Sequence, residues 1–126
     1  MIAESYVSFD TAKLLKEAGF RELTKTHYIN SGEVWETAMP ADYNDDFNCN
    51  TCNRPTQALA ARWLREVHDI HVFTNYFFED GTWFYVIVDL KESDEVRAIH
   101  PDIRSYQSSE EAFEAGLREA IKLIKK

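Results

Sequence analysis

Two β-prone segments, residues 70–78 and 83–90, constrain the fold of this chain more than any other feature of its sequence. They flank Asp80 and Gly81, a dipeptide typical of tight hairpin turns because both residues tolerate a positive φ. The segments therefore predict an antiparallel β-hairpin. A sheet with one side in water alternates apolar and polar residues, but this hairpin is apolar on both faces. We expect it to be covered on both sides or to offer one side to a partner.

Pairing Glu79 with Thr82 across that turn sets a register and assigns the side chains to two faces. The first face carries Phe73, Phe77, Phe84, Val86, Val88 and Leu90, together with His71 and Asn75. The second face carries Val72, Tyr76, Phe78, Trp83, Tyr85 and Ile87, together with Thr74 and Asp89. Rings of the second face combine apolar area with polar tips, a mixture that is enriched at protein interfaces. The predicted protein-binding residues are Tyr76, Phe78, Trp83 and Tyr85.

Two other roles for these rings stay open. A helix of the same chain could cover them, which would make them part of the core. They could also stack single-stranded bases, as aromatic platforms do. Stacking of bases requires basic residues nearby, whereas the charged residues beside these rings are Glu79, Asp80 and Asp89. The interface and the covered core are therefore the two main alternatives.

Three segments have the apolar periodicity of amphipathic helices. The first covers residues 9–18 and follows Ser8, a good N-cap residue. The second covers residues 55–68 and combines three small alanines with a broad apolar face, which suits a central position against a sheet. The third opens at Ser108 with a glutamate three residues later, a capping box.

A weaker hairpin is predicted between the first two helices. Residues 24–29 and 33–39 are β-prone and flank an Asn-Ser-Gly stretch. A two-residue turn there would pair Tyr28 with Trp35, whereas a three-residue loop would shift the register. Residues 40–54 lack periodicity and are rich in Asn and Asp, which indicates an irregular acidic loop.

The order helix, hairpin, helix, hairpin, helix predicts a single α+β domain over residues 1–126, with an antiparallel sheet packed against helices. A chain of this length buries enough surface to fold without a metal or a disulfide. No apolar run approaches the roughly 20 residues that span a membrane. The first residues lack the pattern of a signal peptide, so we expect a cytoplasmic protein.

The two cysteines, Cys49 and Cys52, form a Cys-x-x-Cys pair. His68 and His71 follow as His-x-x-His, and four such ligands in this order resemble a Cys₂His₂ zinc site. The spacing departs from that of zinc fingers, and the acidic surroundings disfavour a reactive redox pair. We expect loose thiols with incidental histidines and no cofactor. A zinc-stabilised binding domain is the alternative.

Several stretches of the chain resemble a family of small uncharacterised proteins that prophages and other mobile elements of gut bacteria encode. The resemblance lies in residues 6–20, in the helix of residues 55–68 and in the Ser-Glu-Glu-Ala opening of the last helix. It implies an intracellular protein made from a mobile element. The family has no established activity, so the resemblance implies no catalytic residues.

The net charge of the chain limits the classes of partner that it can bind. The formal net charge of −8 argues against nucleic acid, because proteins bind phosphates with Lys and Arg. No Lys or Arg lies between Lys25 and Arg54, a window that contains Glu33, Glu36, Asp42, Asp45 and Asp46. This window keeps the chain soluble or imitates nucleic acid toward a basic host protein.

Motifs of hydrolases and nucleotide-binding enzymes do not occur. We therefore predict an interaction or accessory module, with a homodimer or another protein as partner, and an acidic inhibitor as the alternative.

Overall fold

A computed structural model describes residues 2–29, 31–44, 50–91, 97–98 and 105–124. Within these ranges, three helices and two antiparallel sheets of three strands each make the fold α+β. In chain order the elements are α1 (Phe9–Glu17), β1 (Thr24–Ile29), β2 (Glu33–Ala41), β3 (Cys52–Asn53), α2 (Gln57–His68), β4 (Ile70–Phe77), β5 (Thr82–Asp89), β6 (Arg97–Ala98) and α3 (Ser109–Ile124). The α+β class is confirmed, but two sheets replace the one that was expected.

Side-chain caps explain where the helices begin. The hydroxyl oxygens of Ser8, Thr56 and Ser108 each accept a hydrogen bond from the backbone N–H three residues later, at 3.3, 3.1 and 3.1 Å. Asp69 ends α2 in the left-handed conformation, with φ of 56°, and turns the chain directly into β4.

None of the helices in the described ranges has both the length and the hydrophobicity that crossing a membrane requires.

The first sheet has the strand order β2-β1-β3. Tyr28 lies opposite Val34 and not opposite Trp35, so the two-residue turn was wrong. Three residues connect the strands, and the Gly32 N–H donates to the Ile29 carbonyl at 3.0 Å. Gly32 makes this loop possible because its φ is +107°.

The described parts of the stretch 40–54, residues 40–44 and 50–54, have more regular structure than the expected acidic loop. Strand β2 continues to Ala41, and β3 pairs with β1. Asn44 follows β2 and Asn53 belongs to β3, and both side chains are fully buried. The Asn53 N–H donates to Asn44 Oδ1 at 2.9 Å, and Asn44 Nδ2 donates to the Phe20 carbonyl at 2.8 Å. Asn and Asp side chains therefore serve here as internal hydrogen-bond partners for backbone that lies outside regular strands.

The second sheet has the order β4-β5-β6, with β4 at its edge. Phe77 lies opposite Thr82, so the predicted Glu79–Thr82 pair was wrong by two positions. The connection has four residues because the N–H groups of Asp80 and Gly81 both donate to the Phe77 carbonyl, at 3.2 and 2.9 Å. A shift by two keeps every side chain on its predicted face.

Helix α3 crosses β4 and β5 at very short range. A Cβ atom placed on Gly116 would lie 2.9 Å from Tyr85 Cβ and 2.9 Å from Val72 Cγ1, so only glycine fits without movement. Helix α2 packs against β4 and α3. The large side chains that are fully buried include Leu15, Phe20, Leu64, Ile87, Leu117 and Ile121. Helices α2 and α3 thus cover the second face of the β4–β5 hairpin, while α1 packs against α3 and β3.

One carboxylate connects the three helices. Glu114 of α3 accepts hydrogen bonds from the Ser8 N–H at 2.8 Å and from the Thr11 hydroxyl at 2.5 Å, both at the start of α1. It also accepts one from Gln57 Nε2 at the start of α2, at 3.0 Å. A negative charge beside two helix N-termini is favourable because unpaired N–H groups and the helix dipole converge there.

Candidate functional site

The outer end of the β4–β5 hairpin exposes a group of aromatic rings. Tyr76, Phe77 and Phe78 are 47%, 48% and 83% exposed. Two cross-strand contacts extend the group to β5: the centroid distance is 5.0 Å between Tyr76 and Trp83, and 6.1 Å between Phe77 and Phe84. We call these five residues the aromatic end.

The position of α3 explains why these rings are open. The helix begins beside the middle of β4, where the Ser109 hydroxyl lies 2.8 Å from the Thr74 hydroxyl. Tyr76 follows Thr74 on the same side of β4, and Phe78 lies in the turn after the strand, so both extend beyond the helix. Before the helix, Tyr106 exchanges two backbone hydrogen bonds of 2.9 Å with Trp83. The aromatic end is thus the part of the hairpin that the helix layer does not reach.

The four predicted interface residues differ in how far they are exposed to solvent. Tyr76 and Phe78 are exposed, as an interface requires. Trp83 is half-buried beside Tyr106. Tyr85 is only 3% exposed and packs against α3 at Gly116, so it is a core residue, and its assignment to the surface was wrong.

Two residues of the aromatic end come from the other face of the hairpin. Phe77 and Phe84 were placed there from the sequence but were not predicted as site residues. Phe73 and Val86 of that face are also only partly buried. Among the described elements, the hairpin packs against α2, α3 and β6, and no strand of the first sheet packs against it. A single layer of helices covers only one face of a sheet, so the first face of the hairpin, with Phe77 and Phe84, could have been predicted to stay partly exposed.

The edge strand beside the aromatic end carries no Asp, Glu, Lys or Arg from position 70 to position 78. Apart from the Tyr76 phenol, its only titratable side chain is His71, which stacks on Phe73 with ring centroids 5.5 Å apart. Burial lowers the pKa of His71, and Arg65 lowers it further, so the ring is uncharged at neutral pH. In the described part of the chain, β5 is the only strand that pairs with β4. The strand therefore offers a neutral, open edge.

The four residues of the alternative zinc site were Cys49, Cys52, His68 and His71. In the described ranges no three His, Cys, Asp or Glu side chains form a group that could hold a metal. Cys52 is buried in β3. His68 packs edge-on against Trp63 with ring centroids 4.8 Å apart, whereas His71 points to the first face of the hairpin. Cys49 lies outside the described residues.

The acidic window contributes to structure as well as to charge. Asp42 accepts a hydrogen bond from Arg21 Nε at 2.6 Å, and it also binds the Asn44 N–H and Asn53 Nδ2. Burial alone would raise the pKa of Asp42, but these hydrogen bonds, that of Arg21 foremost, lower it below its ordinary value. Residues 45–46 of the window lie outside the described ranges. A carboxylate held in this way supports the fold and is a poor mimic of a free phosphate.

Comparison with known proteins adds no relative: no protein-family model, no curated protein and no solved structure matches this chain.

Proposed function

We propose that this chain is a protein-interaction module that self-associates through the aromatic end, with β4 of one copy pairing antiparallel to β4 of a second copy. The observation that carries the proposal is the coincidence of exposed rings with an open, uncharged strand edge. Unpaired edges usually carry charges, prolines or bulges that prevent such pairing. Strand β4 has none of these from Thr74 to Phe77.

A second copy fits this edge because the strand is complementary to itself. With a two-fold axis at Asn75, Phe73 of one copy lies opposite Phe77 of the other, and Thr74 lies opposite Tyr76. Side chains of one face then meet side chains of the same face, so aromatic contacts form on both sides of the axis. The seam joins neutral residues, which keeps the charge of −8 on each chain away from the contact.

The resemblance to mobile-element proteins supports an accessory role for such a dimer. The imitation of nucleic acid is the weaker candidate, because Asp42 of the acidic window is already bound by Arg21 and two asparagines. Two copies of an acidic chain repel each other wherever their charged surfaces meet. Pairing through the neutral edge of β4 avoids that repulsion, so self-association is compatible with the net negative charge.

The substitution Phe77→Lys tests the proposal. It places a charge at the seam, opposite the ring of Phe73 of the second copy, where an unpaired charge loses solvent on pairing, so we expect a dimer to become a monomer. Sedimentation equilibrium at several protein concentrations measures the change. The matched control is Met39→Lys, which adds the same charge to an exposed apolar position on β2 of the other sheet.

The outcomes are distinct. A dimer that Phe77→Lys dissociates and Met39→Lys leaves intact supports pairing through β4. A monomeric native chain at all concentrations contradicts self-association, and a dimer that survives Phe77→Lys contradicts the proposed interface. Circular dichroism confirms that each variant is folded.

A further inference from the structure

A groove of about 860 Å³ lies beside α1, and no residue of the β4–β5 hairpin lines it. Its walls come from α1, from the segment that enters β3 and from the last turns of α3. The lining residues are Phe9, Asp10, Lys13, Leu14, Lys16, Glu17, Asn50, Thr51, Cys52, Arg118 and Lys122. Its volume is within the range of sites for small molecules.

The charge of this lining is opposite to that of the chain. The whole sequence has 22 acidic and 14 basic residues, whereas four basic residues and two acidic ones line the groove. The bases come from two helices that are distant in sequence, with Lys13 and Lys16 on α1 and Arg118 and Lys122 on α3. A concave surface with clustered positive charge attracts anions even when the protein as a whole is negative.

Three of these cations are available to a ligand. Lys13 and Lys122 make exposed ion pairs, at 3.4 Å to Asp10 and 3.7 Å to Glu119, and such pairs contribute little. Lys13 Nζ also lies 4.5 Å from the centroid of the Phe9 ring, within the same groove. Arg118 is half-buried and has no hydrogen bond or ion pair to any other described residue. Lys16 has a structural role, since its Nζ donates to the Thr51 carbonyl at 2.8 Å.

The remainder of the lining includes an apolar part. Phe9, Leu14 and Cys52 supply carbon and sulfur surface beside the cations. Cys52 is 2% exposed, and burial raises the pKa of its thiol to about 11, so it is uncharged at neutral pH. A ligand that uses the whole groove therefore needs an anionic group and an apolar body.

We propose that this groove binds an organic phosphate of nucleotide size. Arg118, Lys13 and Lys122 would hold the phosphates, because arginine matches phosphate geometry with paired donors and lysine acts as a mobile point charge. The apolar body would lie against Leu14 and Phe9. The site shares no residue with the aromatic end, so this inference is independent of self-association.

Isothermal titration calorimetry with ATP as the probe tests the inference, with inorganic phosphate and adenosine titrated separately. We expect ATP to bind saturably at one site per chain, and more tightly than either fragment. The double variant Arg118→Gln, Lys122→Gln removes two exposed or half-buried cations and should weaken ATP binding roughly tenfold or more. The matched control is Lys25→Gln, Arg62→Gln, which removes the same charge from exposed positions outside the groove.

Three results would overturn the proposal. They are the absence of saturable ATP binding by the native chain at millimolar concentration, an equal loss of affinity in the groove variant and the control, and phosphate binding as tight as that of ATP. An equal loss in both variants would mean that overall charge alone attracts the probe. A loss confined to the folded groove variant supports the site, and circular dichroism verifies that folding.

Discussion

At the scale of the residue, burial decides the chemistry of Cys52. Its thiol has a pKa of about 11, since loss of solvent outweighs the attraction of Lys16 and Lys13 for the thiolate. The thiolate is the reactive form, so we predict that iodoacetamide at pH 8 alkylates Cys52 in the folded chain roughly 100-fold more slowly than in urea. Mass spectrometry of a Cys49→Ser variant gives both rates, and equal rates would contradict the burial of this thiol.

The predictable residues were those whose roles depend on near neighbours in sequence. Ser8 and Ser108 are helix caps because a hydroxyl there reaches an N–H three residues later, and this can be predicted from the sequence. Tyr76 and Tyr85 have similar chemistry and lie on the same face, yet one is exposed and the other is buried. Their difference depends on where α3, more than twenty residues later, begins to cross the sheet. That position is a tertiary property that periodicity does not encode.

At the scale of the element, the contact between α3 and the second sheet depends on Gly116. Alanine is the better helix former by about 1 kcal/mol, but its Cβ would lie 2.9 Å from atoms of Tyr85 and Val72. Because these neighbours are packed in the core, we predict that Gly116→Ala lowers the free energy of unfolding by about 1–3 kcal/mol. Urea denaturation measures this change.

The control for that experiment is Lys122→Ala, on an exposed position of the same helix. It should change the free energy of unfolding by less than about 0.5 kcal/mol. A Gly116→Ala variant as stable as the native chain would show that the helix can move away from the sheet at little cost.

Strand positions were predicted better than strand pairing. Each long strand has the β-prone pattern that was identified in the sequence, but the register predicted for the β4–β5 hairpin was wrong. For the β1–β2 hairpin the sequence left two loop lengths open, and the structure has the three-residue loop. The dipeptide Asp80-Gly81 suits a two-residue turn and also the end of a four-residue loop, and only the flanking contacts choose between them. Strands β3 and β6 have two residues each, which is too short for any periodicity to show.

At the scale of the whole molecule, Glu114 unites parts that are distant in the sequence. Its carboxylate satisfies donors of Ser8, Thr11 and Gln57. Alanine there would remove the acceptor of the partly buried Ser8 N–H and Thr11 hydroxyl, whereas Gln57 Nε2 would keep the Glu110 carbonyl as an acceptor. We predict that Glu114→Ala lowers the free energy of unfolding by about 2–4 kcal/mol, because each lost charged acceptor has a substantial cost. Thermal or urea denaturation gives the value.

Glu110→Ala is the matched control, since it removes an exposed carboxylate from the same helix. It should leave stability nearly unchanged. If both variants lost the same small amount, the junction of the three helices would not depend on Glu114, and the apolar contacts between the helices would be sufficient.

The neutral edge of β4 has a consequence for how this protein behaves when it is concentrated. Residues 70–78 form an uncharged run rich in β-branched and aromatic side chains, without proline or glycine. Segments of this kind template cross-β fibrils when their backbone is accessible. A copy of the chain that closes this edge in an ordered pair would thus also protect it from uncontrolled polymerisation.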